Sequence, residues 1–270
     1  MAGHWYNKEG EPCHDATMKE VRKYKLLPSV TSILGIIDKG PWLSEWKVNQ
    51  AIYKTKSILE ELSKIDNLKE VEGYTPKKGI DEEKIKSMVK EALSNEREVT
   101  LELGEGVHRL CEAYLGNDQN LFEVEKTKAN AFQVYLNSKI EEKLEKYKNQ
   151  EDGYTEEIVV SSLGYAGRVD YFWLDDSIHI RDFKTQNVKK QPNFYTDWIP
   201  QLMAYSYAIH DKDFFEPEKV DAGSIIISTN EINKGSHEKI WSNKSKIKGW
   251  RIFINAFNLW KTVYDYDPIV

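Results

Sequence analysis

Cysteine is nearly missing from this chain. Of 270 residues only Cys13 and Cys111 carry thiols, and they stand far apart. Two such residues argue against a disulfide framework and against a four-cysteine zinc or iron–sulfur site. A reducing compartment, the cytoplasm, is the expectation. No apolar run approaches the roughly 20 residues of a membrane-spanning helix, so no membrane association is expected. The opening Met1-Ala2-Gly3-His4-Trp5-Tyr6 also lacks the basic-then-apolar profile of a signal peptide. Positive charge is not in excess: 38 Lys and Arg stand against 44 Asp and Glu, a net charge of −6. That argues against a protein that coats nucleic acid non-specifically, and leaves room for an acidic enzyme with a local basic groove. No internal repeat or low-complexity segment stands out. Hydrophobic residues at 40% and aromatic residues at 12% suffice for a real core.

Along the chain, residues 1–27 are polar and mixed and read as an N-terminal segment. Residues 28–270 read as a single domain with a helical insertion at about 54–98. Pro28, with Ser29 or Thr31 as cap, starts a helix running to Ile37. Gly40-Pro41 breaks it, and a second helix carries Trp46. In the insertion Ile58, Leu59, Leu62 and Ile65 recur at helical spacing, a loop covers 74–79, and Asp81 opens an amphipathic helix with Ile85, Met88, Val89 and Leu93 on one stripe. Residues 100–115 and 126–148 read as further helices. Then the period changes to alternation: 155–162, 165–174 and 178–184 are three consecutive strands, with turns at Leu163-Gly164 and Asp175-Asp176-Ser177. A helix over 196–209, a strand over 223–228 and a closing helix with Trp250, Phe253, Phe257 and Trp260 follow. This order implies an α/β or α+β domain: a small mixed sheet, built on a three-strand meander and flanked by helices.

Chemistry concentrates on the meander. Asp182 and Lys184 lie two apart on a strand and so point the same way as Ile178 and Ile180, on the face the isoleucines mark as buried. Asp170 shares a face with Phe172 and Leu174. Burying charge is costly unless it is paired or holds a metal. Two acids and a lysine at adjoining strand ends suit a divalent cation with an ammonium beside the nucleophile; a salt bridge between strands is the plain alternative. On the preceding helix, Gly104 and Gly106 are poor helix residues whose presence points to close packing against a sheet. His108 stands one turn from Gly104, and Glu112 one turn further. Gln201 and Tyr205 fall one turn apart on a later helix. Glu157, at the head of the first strand, is a further candidate carboxylate. Lys189 and Lys190 follow the second acid closely and are candidates for phosphate contact, as is Arg168. Lysines at 239–251, with Trp241 and Trp250 between them, suit either a single strand or an ordinary helix with a solvated basic start.

These motifs, Gly104 to His108, Gly167 to Asp170, Asp182-Phe183-Lys184-Thr185 and Gln201 to Tyr205 in that order, resemble those of the PD-(D/E)XK nuclease superfamily in its RecB-type exonuclease branch. Pro28-Ser29-Val30-Thr31-Ser32-Ile33-Leu34 with Trp46 is similar to phage-encoded members and to the mitochondrial genome maintenance exonuclease. The resemblance covers roughly 28–265. It implies a restriction-endonuclease-like core and a Mg²⁺- or Mn²⁺-dependent deoxyribonuclease. It implies metal ligation by His108, Asp170, Asp182 and the Phe183 carbonyl. Lys184 then acts in the chemical step, with Gln201 and Tyr205 supporting it or the phosphate. DNA is the implied partner, with a helicase or single-strand annealing protein beside it. Val169 stands where the family name has proline. The cysteines that hold an iron–sulfur cluster in some relatives are absent, so none is expected. An endonuclease or junction resolvase on the same core, a catalytically idle DNA-binding protein, and a metal enzyme for another phosphoester remain as alternatives.

Overall fold

The computed structural model describes residues 4–37, 48–58, 60, 82–148, 150, 153–210 and 214–270. Strand β1 (Trp5–Tyr6) pairs antiparallel with β2 (Leu27–Pro28), and α1 (Met18–Tyr24) lies between them. Thr17 caps α1 reciprocally: its hydroxyl accepts from the Glu20 amide, and the Glu20 carboxylate takes the Thr17 N–H at 2.8 Å. Ser29 caps α2 (Val30–Leu34) by accepting from the Ser32 amide at 3.0 Å. Pro28 therefore ends a strand and does not open the helix, which stops short of Ile37. Residues 48–58 form α3. The two helices expected around 81–115 are one, α4 (Glu82–Leu115). Trp46, the Gly40-Pro41 break, Leu59, Leu62 and Ile65, and the 74–79 loop lie outside the described residues.

The helix expected over 126–148 is two, preceded by a short helix the sequence did not indicate. After α5 (Gln119–Lys126) and α6 (Ala129–Ser138), Lys139 adopts a left-handed conformation (φ 51°), and α7 (Ile140–Lys148) starts in a new direction. No glycine or proline marks this break. The turn lets Ile140, Leu144 and Tyr147 all bury, and burial outweighs local propensity.

The meander forms as expected: β3 (Gly153–Ser161), β4 (Tyr165–Leu174) and β5 (Ile178–Gln186), joined antiparallel, with Gly164 at φ 93° in the first turn. Helix α8 (Ile199–His210) crosses over to β6 (Asp221–Ser228), which lies parallel to β5. The sequence did not indicate β7 (Ser236–Ile240), a polar edge strand antiparallel to β6. Helix α9 (Asn243–Tyr264) closes the chain. The result is a five-stranded mixed sheet in the order β3-β4-β5-β6-β7, flanked by helices. One face packs Phe172 and Ile180 into a core with α8 and α9. On the other, Tyr147 of α7 lies against Tyr171 and Trp173.

The contacts divide into two compact units, Met1–Ile37 with Gly104–Val270, and Asp38–Leu103. In the second, Lys54 of α3 pairs with Glu96 of α4 at 2.8 Å. The first contains the sheet, and the N-terminal segment is built into it. Trp5 meets Trp260 edge-on at 5.8 Å. Arg22 donates to the Tyr264 carbonyl at 3.0 Å, and the Tyr266 hydroxyl donates to the Leu26 carbonyl at 2.9 Å. Among the described residues, no helix is long and apolar enough to cross a membrane.

Candidate active site

The site sits where the sheet splits. Strands β4 and β5 pair from Leu174–Ile178 to Tyr171–Arg181 and then stop, one step before Asp170 and Asp182. In place of ladder bonds, the Phe183 amide donates to Asp170 Oδ2 at 2.6 Å. Strand β5 stays fixed on its other side, since it pairs with β6 through Gln186. The two acids thus stand at the point where the β4–β5 ladder has ended.

A second irregularity lies next door. The β3–β4 register skips the pair Glu156–Asp170, and Glu156 has a left-handed φ of 50°. This break shifts the alternation. Val169 and Phe172 are three apart, yet both lie in the same core, as do Tyr165 and Ile180. A strict period of two would send Val169 and Phe172 to opposite faces.

The shift decides which glutamate enters the site. Ligand atoms of His108, Glu156 and Asp170 all lie within 4.8 Å of one another. Glu157, the expected candidate, is exposed and does not join them. Sequence reasoning missed Glu156 because the signal for it, a non-glycine residue at positive φ, is conformational. Glu156 also pairs with Arg168 at 2.9 Å. Burial first, then Asp170, push its carboxyl up to about 7, with Arg168 pulling the other way.

His108 reaches the site from α4. Its Nδ1 lies 3.8 Å from Asp170 Oδ2, and its ring stands edge-on to Phe183 at 6.0 Å. Burial lowers the imidazole pKa against the pull of Asp170, which favours the neutral, metal-ligating form. The two glycines of this helix serve different neighbours. A Cβ at Gly104 would stand 3.2 Å from Thr185 Oγ1 of β5, so this one admits the sheet; a Cβ at Gly106 would meet Ala131 of α6 at 2.7 Å.

Asp182 and Lys184 do share a face, and they form a 2.5 Å ion pair. Asp182 is buried, with Oδ2 lacking any hydrogen-bond partner. Burial pushes its pKa up to about 7, opposed by Lys184 and assisted by Asp170. Burial works against the Lys184 ammonium, but Asp182 and Asp170 outweigh it and hold its pKa above the ordinary value. From α8, Gln201 Nε2 donates to the Tyr205 hydroxyl at 3.1 Å. Tyr205 lies over Gly167, where any side chain would collide with its ring. Arg168, Lys189 and Lys190 are exposed.

The region 239–251 does not present stacking tryptophans. Trp241 is buried, its indole N–H donating to Ser224 Oγ at 3.1 Å, and Lys246 is buried on the Val220 and Glu218 carbonyls. Trp250 stacks on Tyr207 at 4.9 Å. On the Tyr147 and Trp173 face of the sheet, buried Arg181 binds Asp221 at 2.7 Å and Glu238 at 3.1 Å, which ties β6 and β7 to the meander.

The residues present fit a divalent cation on two counts. Three donors of suitable type converge, and a buried carboxylate oxygen nearby has no partner. One nitrogen among oxygens suits a first-row or alkaline-earth ion.

No curated protein matches the chain. Among solved structures, the crystal structure of SSO0001 matches at 14% identity over 56% of this chain and 73% of that one, with a TM-score of 0.26, too low to carry a structural argument. The family model of the PD-(D/E)XK nuclease superfamily matches residues 58–258. That span holds every residue of the site described above, so the chain belongs to the PD-(D/E)XK nuclease superfamily, a family of divalent-metal-dependent nucleases whose membership supports a nuclease activity with DNA as the implied substrate.

Proposed function

We propose that the protein is a RecB-type exonuclease that hydrolyses DNA phosphodiesters from a strand end with Mg²⁺ or Mn²⁺. The observation that carries this reading is the convergence of His108, Glu156 and Asp170 within 4.8 Å, beside the Asp182–Lys184 pair. These residues, with Asp182 Oδ2 and the Phe183 carbonyl, would hold the ion. A bound ion supplies Lewis acidity and a water acidified toward neutral pH. The chain's own residues do the rest. Asp170 is kept in place by the Phe183 amide. Lys184 stays protonated at neutral pH, because its pKa is held up. It therefore serves as a fixed cation for the charge that develops on the attacked phosphate, not as a proton acceptor. Burial raises the Tyr205 pKa, so its hydroxyl keeps its proton, and Gln201 fixes its direction. Exposed Arg168, Lys189 and Lys190 contact the DNA backbone in this reading. Cys111 lies fully buried with its thiol pushed up by burial and has no part in it. The proposed setting is the cytoplasm, in recombination, repair or replication of phage or cellular DNA, where a helicase or single-strand annealing protein supplies or receives the strand.

The test is digestion of end-labelled DNA, single- and double-stranded, linear and circular, with Mg²⁺ or Mn²⁺. Release of nucleotides or short fragments from linear DNA only, abolished by Asp182→Asn, is the expected result. Cleavage of closed circles would replace the exonuclease by an endonuclease or resolvase. No cleavage of any DNA would end the nuclease reading.

A further inference from the structure

The catalytic lysine opens onto aromatic rings for which the chemistry above has no use. Lys184 Nζ lies 5.9 Å from the centroid of the Trp198 ring. Tyr195 meets Trp198 edge-on at 5.3 Å and is 39% exposed. Behind them Phe194 lies 6.4 Å from both Trp198 and Trp241, and Lys239 stands over Phe194 and Trp241 at 5.6 and 4.5 Å. A run of rings thus extends from Lys184 through Trp198 and Phe194 to Lys239, with an ammonium group at each end.

The inner rings are anchored. Trp241 is buried, and Phe194 and Trp198 pack at the margin of the main core. The short 3₁₀ turn Thr196–Trp198 runs directly into α8. Tyr195 is the outermost ring of the set and rests edge-on against Trp198. Little ordering is lost when a flat ligand settles on it.

We propose that Tyr195, backed by Trp198, is a stacking subsite for the unpaired nucleobase next to the phosphate held at Lys184. This rests on the nuclease reading and deepens it: the substrate is a single-stranded DNA end. A phosphate at Lys184 puts the adjoining base one sugar away, on the side where the Trp198 ring lies. Every nucleobase offers a π-face, so such a subsite is indifferent to sequence. A base within a duplex has both faces covered, whereas an unpaired base has one to give. Nearby cations on the same strip suit the backbone of a single strand.

The test is single-turnover cleavage of a labelled single-stranded oligonucleotide, intact or with one abasic nucleotide on either side of the cleaved bond. Wild-type protein should cleave one of the two abasic substrates on the order of tenfold more slowly than the intact strand. Tyr195→Ala should slow the intact strand by a similar factor and cleave that abasic strand no more slowly than wild type. Tyr195→Phe, which keeps the aromatic face, should retain the difference between intact and abasic strands. 2-Aminopurine at the same position should be quenched on binding to wild type in Ca²⁺ and not on binding to Tyr195→Ala. If Tyr195→Ala slows intact and abasic strands equally, or if neither abasic substitution matters, the subsite is refuted while the nuclease reading stands. If wild type cleaves no DNA, both fall.

Discussion

Gly167→Ala should damage the protein through one atom. Gly167 does not have a positive φ, so nothing about its backbone requires glycine. What requires it is Tyr205: an added Cβ would lie 2.5 Å from Cε1, 3.3 Å from Cζ and 3.4 Å from Cδ1 of that ring. Carbon atoms pack at about 3.5–4.0 Å, so ring or strand must move by about 1 Å. The ring cannot swing to solvent, being 6% exposed within the core. Overpacking of this kind costs about 1–3 kcal/mol, or a fall of roughly 2–10 °C in Tm for a chain of this size. Displacing Tyr205 also breaks its alignment with Gln201, 3.1 Å away. A misplacement near 1 Å can lower turnover by on the order of a hundredfold. Thermal denaturation and single-turnover cleavage measure the two effects. In a Tyr205→Ala background the ring is gone, and Gly167→Ala should then cost only a few tenths of a kcal/mol, because the two substitutions act on one contact. Equal cost in both backgrounds, or a variant as stable and active as wild type, would refute the steric account.

Lys184→Ala should reduce single-turnover cleavage by on the order of a hundredfold or more while leaving DNA affinity in Ca²⁺ nearly unchanged; Lys189→Ala and Lys190→Ala should weaken binding and flatten its salt dependence. A Lys184→Ala protein that cleaves bound DNA at the wild-type rate would make the Asp182–Lys184 pair a structural ion pair only. Asp182→Asn and Glu156→Gln should each weaken Mn²⁺ binding in calorimetric titration, whereas Glu157→Gln should not; equal effects at 156 and 157 would refute the placement of Glu156. Without metal, the Glu156 carboxyl titrates at about 7 in the folded chain against an ordinary 4.5, so between those values the folded state holds the extra proton and this group's contribution to stability falls as pH rises. Glu156→Gln should therefore gain stability relative to wild type between pH 5 and pH 8 in EDTA, read as the difference in Tm; a constant difference across that range would contradict the burial of the carboxyl.

Legibility from sequence follows how local each feature is. Asp182 with Lys184, and Gln201 with Tyr205, each lie within one element, and regular strand or helix spacing suffices to bring them to one face. The meander was readable for the same reason, since its turns carry Gly164 and the Asp175–Ser177 cluster. Features that depend on departures from regular spacing were not. Glu156 joins His108 and Asp170 in a left-handed conformation that no composition signals, whereas Glu157 was chosen only for its place at the head of the strand. The break at Lys139 occurs without glycine or proline because burial of Ile140, Leu144 and Tyr147 outweighs propensity. Strand β7 is polar and short, and it is recognisable only from its pairing with β6. The N-terminal segment reads as polar and mixed because its few apolar residues are scattered, although Trp5, Val21 and Leu26 are all core residues.

That last feature has a temporal side. Trp5 packs on Trp260, Arg22 holds the carbonyls of Tyr264 and Asp265, and the Tyr266 hydroxyl reaches the carbonyls of Val21 and Leu26. Two segments about 240 residues apart in the chain thus complete each other's packing, and the earlier one waits on the synthesis of the later. Domains ordinarily fold as units as they emerge, but here the core is incomplete until α9 has been made. A ribosome stalled before Trp260 would hold a chain with His108, Glu156, Asp170 and Asp182 already translated, and the core beside them would still be open.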